Sequence, residues 1–366
     1  MAAFASLLLA LVSQDESAVR AAVSRSLPHL EKEGVAWMKE RNCLSCHHVP
    51  FLLWSHRIAQ SKGIPLDADK LATWTEWARK ESTMQREKVR LSSAGLDALK
   101  GEGVPAETLA KLAPFAQKPG GNKEEVYLHE LGKLLAPDEL TQHRAALLKH
   151  ATRDKGDGGG LDSMVQLLLS GSYGAGDAEF VDATRGRIRE LQKADGSWKP
   201  GGQLFSTNRS AAEATQLTTS WAVLALPDAD GARARSYLKD ASPGKVLEGL
   251  VVRLLLATKR GEPCDDVKEL LARQNADGGW ASLQGAASDA FATGQALFAL
   301  PVTAKDAIQR GRQFLLEQQR DDGSWPVPPA ALTTPKRAPD KMKSLEPIYG
   351  YWGSAWAAIG LASTLP

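Results

Sequence analysis

Three apolar, alanine-rich segments recur in the second half of the chain, and each of them follows a short polar turn. The segments cover residues 218–226, 292–300 and 352–362. A run of helical character, such as 311–318, precedes each turn. This pattern predicts a repeated unit that consists of a helix, a turn and a second, more apolar helix.

The turns share four residues in the spacing Q-x-x-D-G-x-W. Asp and Gly end the first helix, because Asp favours turns and Gly permits a tight or left-handed backbone. Trp adds a large apolar plate that can seal neighbouring helical hairpins, and its N–H is available for a partner. The three copies are Gln192, Asp195, Gly196 and Trp198; Gln274, Asp277, Gly278 and Trp280; and Gln319, Asp322, Gly323 and Trp325.

The spacing of these copies extends the repeat towards the N-terminus. Trp198 and Trp280 are 82 positions apart, which is two periods of about 41 residues, and we expect a degenerate copy at 245–259. Residues 26–37 have the same shape, a helix followed by G-x-x-W that ends on Trp37. The first repeat therefore begins ahead of residue 40, and no separate N-terminal domain is expected.

The repeated turns, together with the helices that follow them, resemble the squalene–hopene cyclases and their relatives. These belong to the α/α-toroid superfamily, which includes the protein prenyltransferases. The resemblance covers residues 185–362 and implies an all-α fold, an α/α toroid of repeated helical hairpins. A fold of this kind does not carry an activity with it.

The motifs that carry the activities of that superfamily do not match. The cyclases protonate an alkene with D-x-D-D, whereas this chain has D-x-D at 67–69 and 228–230 and D-D at 265–266. The flanks of Cys264 differ from the zinc site of the prenyltransferases. Aromatic residues make up only 6% of the chain, and we attribute most tryptophans to the turns, although a cation-stabilising barrel needs many aromatic rings. We interpret the turn residues as structural.

Two of the three cysteines form the pattern C-x-x-C-H with Cys43, Cys46 and His47. This is the attachment pattern of c-type haem. Two thiols one helical turn apart can each add to one vinyl group of a porphyrin, and the next histidine supplies the proximal ligand to the iron. Three alternatives stay open: half of a zinc site, which lacks a second ligand pair; a redox pair, which lacks a βαβ context; and a chance pentapeptide.

The distal ligand to the iron is a separate prediction. On a helix, His48 points about 100° away from His47, and His56 lies about two turns further along the axis. Neither side chain is therefore expected to reach the opposite face of a haem. We expect Met84 as the distal ligand, with a histidine of the middle segment or an open position as alternatives.

The N-terminus and the charge balance bear on localisation. Residues 1–12 form an apolar run that is too short to span a bilayer. The run resembles the core of a secretory signal, although no Lys or Arg precedes it, and the alternative is a first amphipathic helix. Because covalent haem attachment in bacteria occurs outside the cytoplasm, we expect an exported, periplasmic or equivalent protein without a transmembrane segment. The net charge of +2, without a basic run, argues against nucleic acid as a partner.

The middle of the chain is predicted from helical periodicity. We expect helices at 71–90, 94–99, 106–117, 123–135 and 137–150, and a Pro-rich flap at 326–347. The chain then divides into a signal at 1–14, haem-bearing helical repeats at 15–117 and toroid repeats at 118–366. We expect the last two to form one continuous ring.

Three functional hypotheses follow. The first is an exported protein with covalent haem c that serves electron transfer or haem redox chemistry, with a redox partner protein or a small molecule in the ring cavity. The second is an isoprenoid enzyme or binding protein of the squalene-cyclase or prenyltransferase kind, without haem. The third is a non-catalytic scaffold that binds a partner on the toroid surface.

Overall fold

The computed structural model describes most of the backbone. It covers residues 2–41, 44–45, 47–85, 88–90, 93–116, 126–127, 135, 138–139, 142–143, 146–147, 152–153, 158–200, 209–241, 244–328 and 339–366. Within these ranges it describes the side chains from residue 15 onward, except at 41, 83–85, 88–90, 93, 115–116, 126–127, 152–153, 158–159, 339–342 and 344.

Helices dominate the described residues. They are α1 (Ala2–Arg41), α2 (Val49–Ser61), α3 (Ala68–Gln85), α4 (Ser93–Gly101), α5 (Ala106–Ala116), α6 (Gly158–Leu169), α7 (Ala178–Glu190), α8 (Ala211–Ala225), α9 (Ala232–Asp240), α10 (Leu247–Arg260), α11 (Asp266–Ala272), α12 (Ala290–Ala299), α13 (Lys305–Gln318) and α14 (Pro339–Ser363). Short 3-10 turns at Ala175–Asp177 and Asp228–Gly231 lead into α7 and α9. The strands are β1 (Lys88–Arg90), β2 (Val126–Tyr127) and β3 (Thr152–Arg153).

The chain forms two compact units. The first consists of Met1–Ala78 together with Leu161–Pro366, and the second is Arg79–Gly160. The second unit is thus a continuous stretch that interrupts the first in sequence. The division that the sequence suggested, at 117/118, is a different one and stays a prediction.

The second unit contains α4, α5 and a small antiparallel sheet with the strand order β2-β1-β3. Val89 of β1 lies opposite Val126 on one side and Arg153 on the other. The helix expected at 123–135 is therefore wrong at Val126–Tyr127, and the helix expected at 71–90 ends at Gln85. A β-branched and an aromatic residue suit a strand as well as a helix, so periodicity alone did not separate the two.

The first unit is built from helix pairs with an outer and an inner member. Within the described residues the pairs are α1/α2, α3/α6, α7/α8, α9/α10, α11/α12 and α13/α14. Outer α7 buries one stripe, Phe180, Thr184 and Ile188, whereas nearly all of inner α12 is buried. Every inner helix lines one central cavity, through Phe51, Asp162, Trp221, Glu248, Gln295 and Trp352, respectively. The predicted all-α toroid is confirmed.

The repeated turns are held by the hydrogen bonds of their shared residues. Trp280 is fully buried, and its indole N–H donates to the carbonyl of Leu270 at 2.8 Å. The Trp280 backbone N–H donates to the hydroxyl of Thr293 on the following helix at 2.9 Å. Gln274 donates to the Gly278 carbonyl at 2.8 Å. The other turns repeat this through Trp198, Ile188, Thr219 and Gln192, and through Trp325, Leu315, Ser354 and Gln319.

Each turn also docks on the next outer helix through its glycine. The φ of Gly323 is +82°, and a Cβ there would lie 2.0 Å from the carbonyl oxygen of Arg25. Arg25 donates to Gln319 at 2.6 Å, and Gln319 donates to the carbonyl of Ala22 at 2.9 Å. The last turn thus sits on α1 and closes the ring. The earlier turns dock in the same way, Gly196 on Arg233 and Gly278 on Arg310.

Two further sequence predictions have a clear outcome. The degenerate copy expected at 245–259 is the inner helix α10, whose start is fixed by a backbone bridge between Val246 and Leu283. The flap expected at 326–347 is too long, because α14 begins at Pro339 and runs through Pro347. None of the described helices combines the length and apolar character that crossing a membrane requires.

The tightest contact between inner helices predicts a large cost for one methyl group. A Cβ at Gly294 of α12 would lie 2.3 Å from the backbone carbonyl of Trp356 on α14. We expect Gly294→Ala to lower the free energy of unfolding by about 2 kcal/mol through overpacking, measured by urea denaturation. The control is Gly186→Ala in α7, where no atom lies within 4 Å of the new Cβ and the helix gains up to about 1 kcal/mol. Equal effects of the two variants would contradict the close packing of α12 on α14.

Candidate functional site

The C-x-x-C-H motif lies between α1 and α2, and its described residues form a tight turn. The Val49 N–H donates to the Leu44 carbonyl at 3.2 Å, and the His47 N–H donates to the Ser45 hydroxyl at 3.0 Å. Ser45 has a φ of +61°, so the residues between the two cysteines do not form the helical turn that the sequence suggested. Cys43 and Cys46 lie outside the described residues.

His47 is buried in this loop and is uncharged at neutral pH. Only 5% of the residue is exposed, and burial lowers its pKa from 6.5 to about 3. Its Nδ1 contacts the Nδ1 of His48, and the edge of its ring packs on Trp37 with 5.0 Å between centroids. Within the described part of the chain, no hydrogen-bond partner reaches Nε2 of His47. A neutral imidazole with an available ring nitrogen is the form that binds a metal.

His48 lies between two aromatic rings. Trp37 stacks on one side and Tyr351 on the other, each 4.2 Å away between centroids, with interplanar angles of 17° and 7°. Burial and the neighbouring His47 hold the pKa of His48 far below its usual range. The expectation that His48 points away from His47 is wrong, since their centroids are 4.6 Å apart. The helical geometry behind it fails because His48 precedes α2, where the loop turns the two side chains together.

Tyr351 of α14 contacts both the ring and the backbone of His48. The Tyr351 hydroxyl donates to the His48 carbonyl at 3.2 Å. Tyr351 reaches the loop past Gly34, where a Cβ would lie 2.9 Å from that hydroxyl oxygen. Burial raises the pKa of Tyr351, so the phenol keeps its proton. The G-x-x-W stretch of the sequence therefore supplies the space for Tyr351 and, through Trp37, one side of the stack.

His56 has a structural role within α2, the helix that follows the loop. Its Nδ1–H donates to the Leu52 carbonyl at 2.8 Å, and its ring packs edge-on against Trp74. Burial lowers its pKa to about 4. Such a histidine is a neutral core residue whose ring is tied to its own helix. That His56 does not bind the iron stays a prediction.

The remaining sequence candidates are dispersed. The side chain of Met84 lies outside the described residues, as do His129 and His150. His29 and Tyr351 both line a surface cleft of about 520 Å³. The thiol of Cys264 donates to Asp266 at 3.4 Å. No group of three or more His, Cys, Asp or Glu side chains suited to a metal ion occurs among the described residues.

A second site, which the sequence did not reveal, lies at the centre of the ring. Among the described residues, five aromatic side chains line the central cavity: Phe51, Trp54, Trp221, Trp352 and Trp356. The expectation that most tryptophans belong to the turns is therefore wrong, because only three of the ten stand in D-G-x-W turns and four face this centre. The cavity has a volume of about 20 Å³, which is room for about one water molecule.

The central cavity also contains a buried acid. Asp162 is 6% exposed, and its Oδ2 has no hydrogen-bond partner among the described residues. Its pKa lies well above the usual range, first because it is buried and second because Glu248 is negatively charged, while Arg209 acts in the opposite direction. Glu248 stays paired, because Arg209 and Trp221 donate to it at 2.9 and 2.7 Å. The site therefore favours the protonated form of Asp162. An acidic residue inside an apolar helical run was its only sequence signal.

Comparisons with known proteins support no assignment of a family or a function. No family model and no curated protein matches the chain. Among solved structures it is similar to the type II terpene cyclase MstE from Scytonema. The complex with the product merosterolic acid A is 16% identical with a TM-score of 0.31, and the complex with the substrate geranylgeranyl dihydroxybenzoate is 15% identical with a TM-score of 0.30. Each match covers 94% of this chain and 98% of the cyclase chain. At these values the likeness carries no argument about function, and the fold rests on the helix pairs described above.

The buried neutral state of His56 predicts a pH dependence of stability. Its pKa is about 4 in the folded chain against 6.5 for an exposed histidine, so the unfolded chain binds the proton more tightly and stability falls as pH drops below 6.5. Between pH 7 and 5 the loss due to His56 is about 2 kcal/mol. Urea denaturation at both pH values should therefore show a drop that is larger, by about this amount, for the native chain than for His56→Gln. Parallel profiles would contradict the assignment.

Proposed function

We propose that this chain is an exported protein that carries one covalently attached haem c, bound through Cys43 and Cys46 with His47 as the proximal ligand to the iron. The observation that carries the proposal is the C-x-x-C-H motif between α1 and α2, whose histidine is buried and neutral. Each thiol adds across one vinyl double bond, with sulfur bonded to one carbon and hydrogen to the other, so that no atom is lost. When bound, the haem supplies one-electron redox chemistry at its iron.

The described histidine fits such a group, since a neutral imidazole belongs to the donor set of a c-type site. Burial keeps His47 in the metal-binding form, and among the described residues no partner reaches its Nε2. Trp37 packs against the imidazole and lowers the local polarity, which is one of the means by which a protein sets a redox potential. Met84 as the distal ligand stays a prediction.

The proposed haem would serve electron transfer to a redox partner protein, or haem redox chemistry on a small molecule. Export to the periplasm or an equivalent compartment belongs to the same proposal. The apolar run at 1–12 supports it, as does the place where covalent haem attachment occurs in bacteria.

The haem proposal predicts a spectrum that depends on two of the three cysteines. The full-length chain is expressed in a host with cytochrome c maturation machinery, and haem is extracted with acidified acetone. We expect a reduced-minus-oxidised spectrum with a sharp α-band that survives extraction in the native chain. We expect none in the Cys43→Ser, Cys46→Ser double variant. Cys264→Ser is the matched control and should keep the band, because its thiol lies outside the motif. A native chain with titratable thiols and no α-band would contradict the proposal.

A second candidate function rests on the buried acid at the ring centre. Asp162 is an acid with a raised pKa among aromatic rings, and aromatic faces stabilise cations. This supports an isoprenoid enzyme that protonates an alkene, as the squalene-cyclase resemblance implies. The cavity of about 20 Å³ opposes it, because an isoprenoid chain enters only if the inner helices move apart.

The second candidate predicts acid-dependent turnover. Purified native chain and Asp162→Asn are incubated with squalene and with geranylgeranyl dihydroxybenzoate, and cyclic products are sought by mass spectrometry. Under this candidate the native chain forms a cyclic product, and the variant, which lacks the proton, is at least about 100-fold slower. Under the haem proposal neither protein forms a product, and both keep the same α-band.

A further inference from the structure

Two adjacent histidines, His47 and His48, form a pair between α1 and α2, and His47 is the proposed iron ligand. His47 and His48 meet through their Nδ1 atoms. A neutral imidazole carries its proton on one ring nitrogen only, so a hydrogen bond between two such nitrogens needs one donor and one acceptor. Among the described residues, His48 is the only partner that reaches Nδ1 of His47.

Iron binding determines the direction of this hydrogen bond. A ligand nitrogen must be unprotonated, so His47 can bind through Nε2 only when its own proton sits on Nδ1. In that tautomer His47 donates, and His48 accepts with its Nδ1 and keeps its own proton on Nε2. The opposite direction would place a proton on Nε2 of His47 and block the ligand position.

His48 is built as a fixed acceptor. Trp37 of α1 and Tyr351 of α14 hold its ring from both sides, and the Tyr351 hydroxyl bonds its carbonyl. Its carbonyl also accepts the N–H of Leu52 in the first turn of α2. Three helices therefore determine where Nδ1 of His48 lies, independently of His47.

We infer that His48 is a positioning residue: it holds His47 in the tautomer and orientation that present Nε2 to the haem iron, and it raises the basicity of that imidazole. The inference rests on the proposed haem function. A more basic ligand favours the ferric state, so the hydrogen bond from His47 to His48 lowers the midpoint potential.

Two substitutions separate the acceptor from the aromatic stack. His48→Phe keeps a ring between Trp37 and Tyr351 but removes the acceptor. His48→Asn removes the ring but keeps a polar oxygen near the position of Nδ1. The control is His56→Gln, a buried histidine outside the loop.

The measurements are made on the haem-loaded full-length chains. We expect His48→Phe to raise the midpoint potential, with about a tenfold shift in the ferrous-to-ferric ratio, or about 59 mV for one electron. We also expect a lower iron–imidazole stretching frequency in the resonance Raman spectrum. His48→Asn should recover most of both effects, and His56→Gln should change neither. A native potential in His48→Phe, or equal shifts in the Phe and Asn variants, would overturn the inference.

A native chain that takes up no haem contradicts the proposed function, and the pairing then has its own test. Nitrogen-15 NMR of the haem-free chain reports which ring nitrogen of each histidine carries the proton. We expect one of the pair to be protonated on Nδ1 and the other on Nε2. Protonation of both on Nε2 would put two lone pairs face to face and overturn the pairing itself.

Discussion

The docking of a left-handed glycine on the backbone of the next outer helix is the contact on which the ring depends. In each D-G-x-W turn the glycine approaches a carbonyl so closely that a Cβ would lie 2.0–2.6 Å from it. The buried tryptophan of the same turn anchors it to both helices of its own pair. The last turn docks on α1 in the same way as the earlier turns dock on α9 and α13. The repeats therefore form a closed ring instead of an open solenoid.

Closure of the ring creates the histidine site. Tyr351 and His48 are 303 positions apart, and they meet because α14, the last inner helix, packs against α1 and α2, the first pair. Gly34 lets the tyrosine reach the loop, and Trp37 completes the stack. The loop that carries the C-x-x-C-H motif is thus fixed at the seam between the two ends of the chain.

The same helix serves the centre of the ring. Tyr351 faces the loop, while its neighbour Trp352 and the following Trp356 line the central cavity. At that centre, packing of aromatic rings leaves little space, and the cost of burying a charge raises the pKa of Asp162. A ring cavity this small holds about one water molecule, so the redox chemistry we propose belongs to the seam and not to the centre.

The amino-acid sequence was enough to predict the repeated unit, the helical character of the degenerate copy and the residues of the turns. These features depend on local spacing and on glycine and tryptophan, whose conformational roles are intrinsic. The sequence also predicts Cys43, Cys46 and His47 as the haem-attachment motif. The turn of His48 towards His47 became visible only in the folded chain, since Ser45 takes a left-handed conformation that helical spacing does not predict. The tryptophans and the acid that line the central cavity could likewise not be predicted from the sequence. Burial at the ring axis depends on which helices meet there, and helices far apart in sequence meet only once the ring has closed.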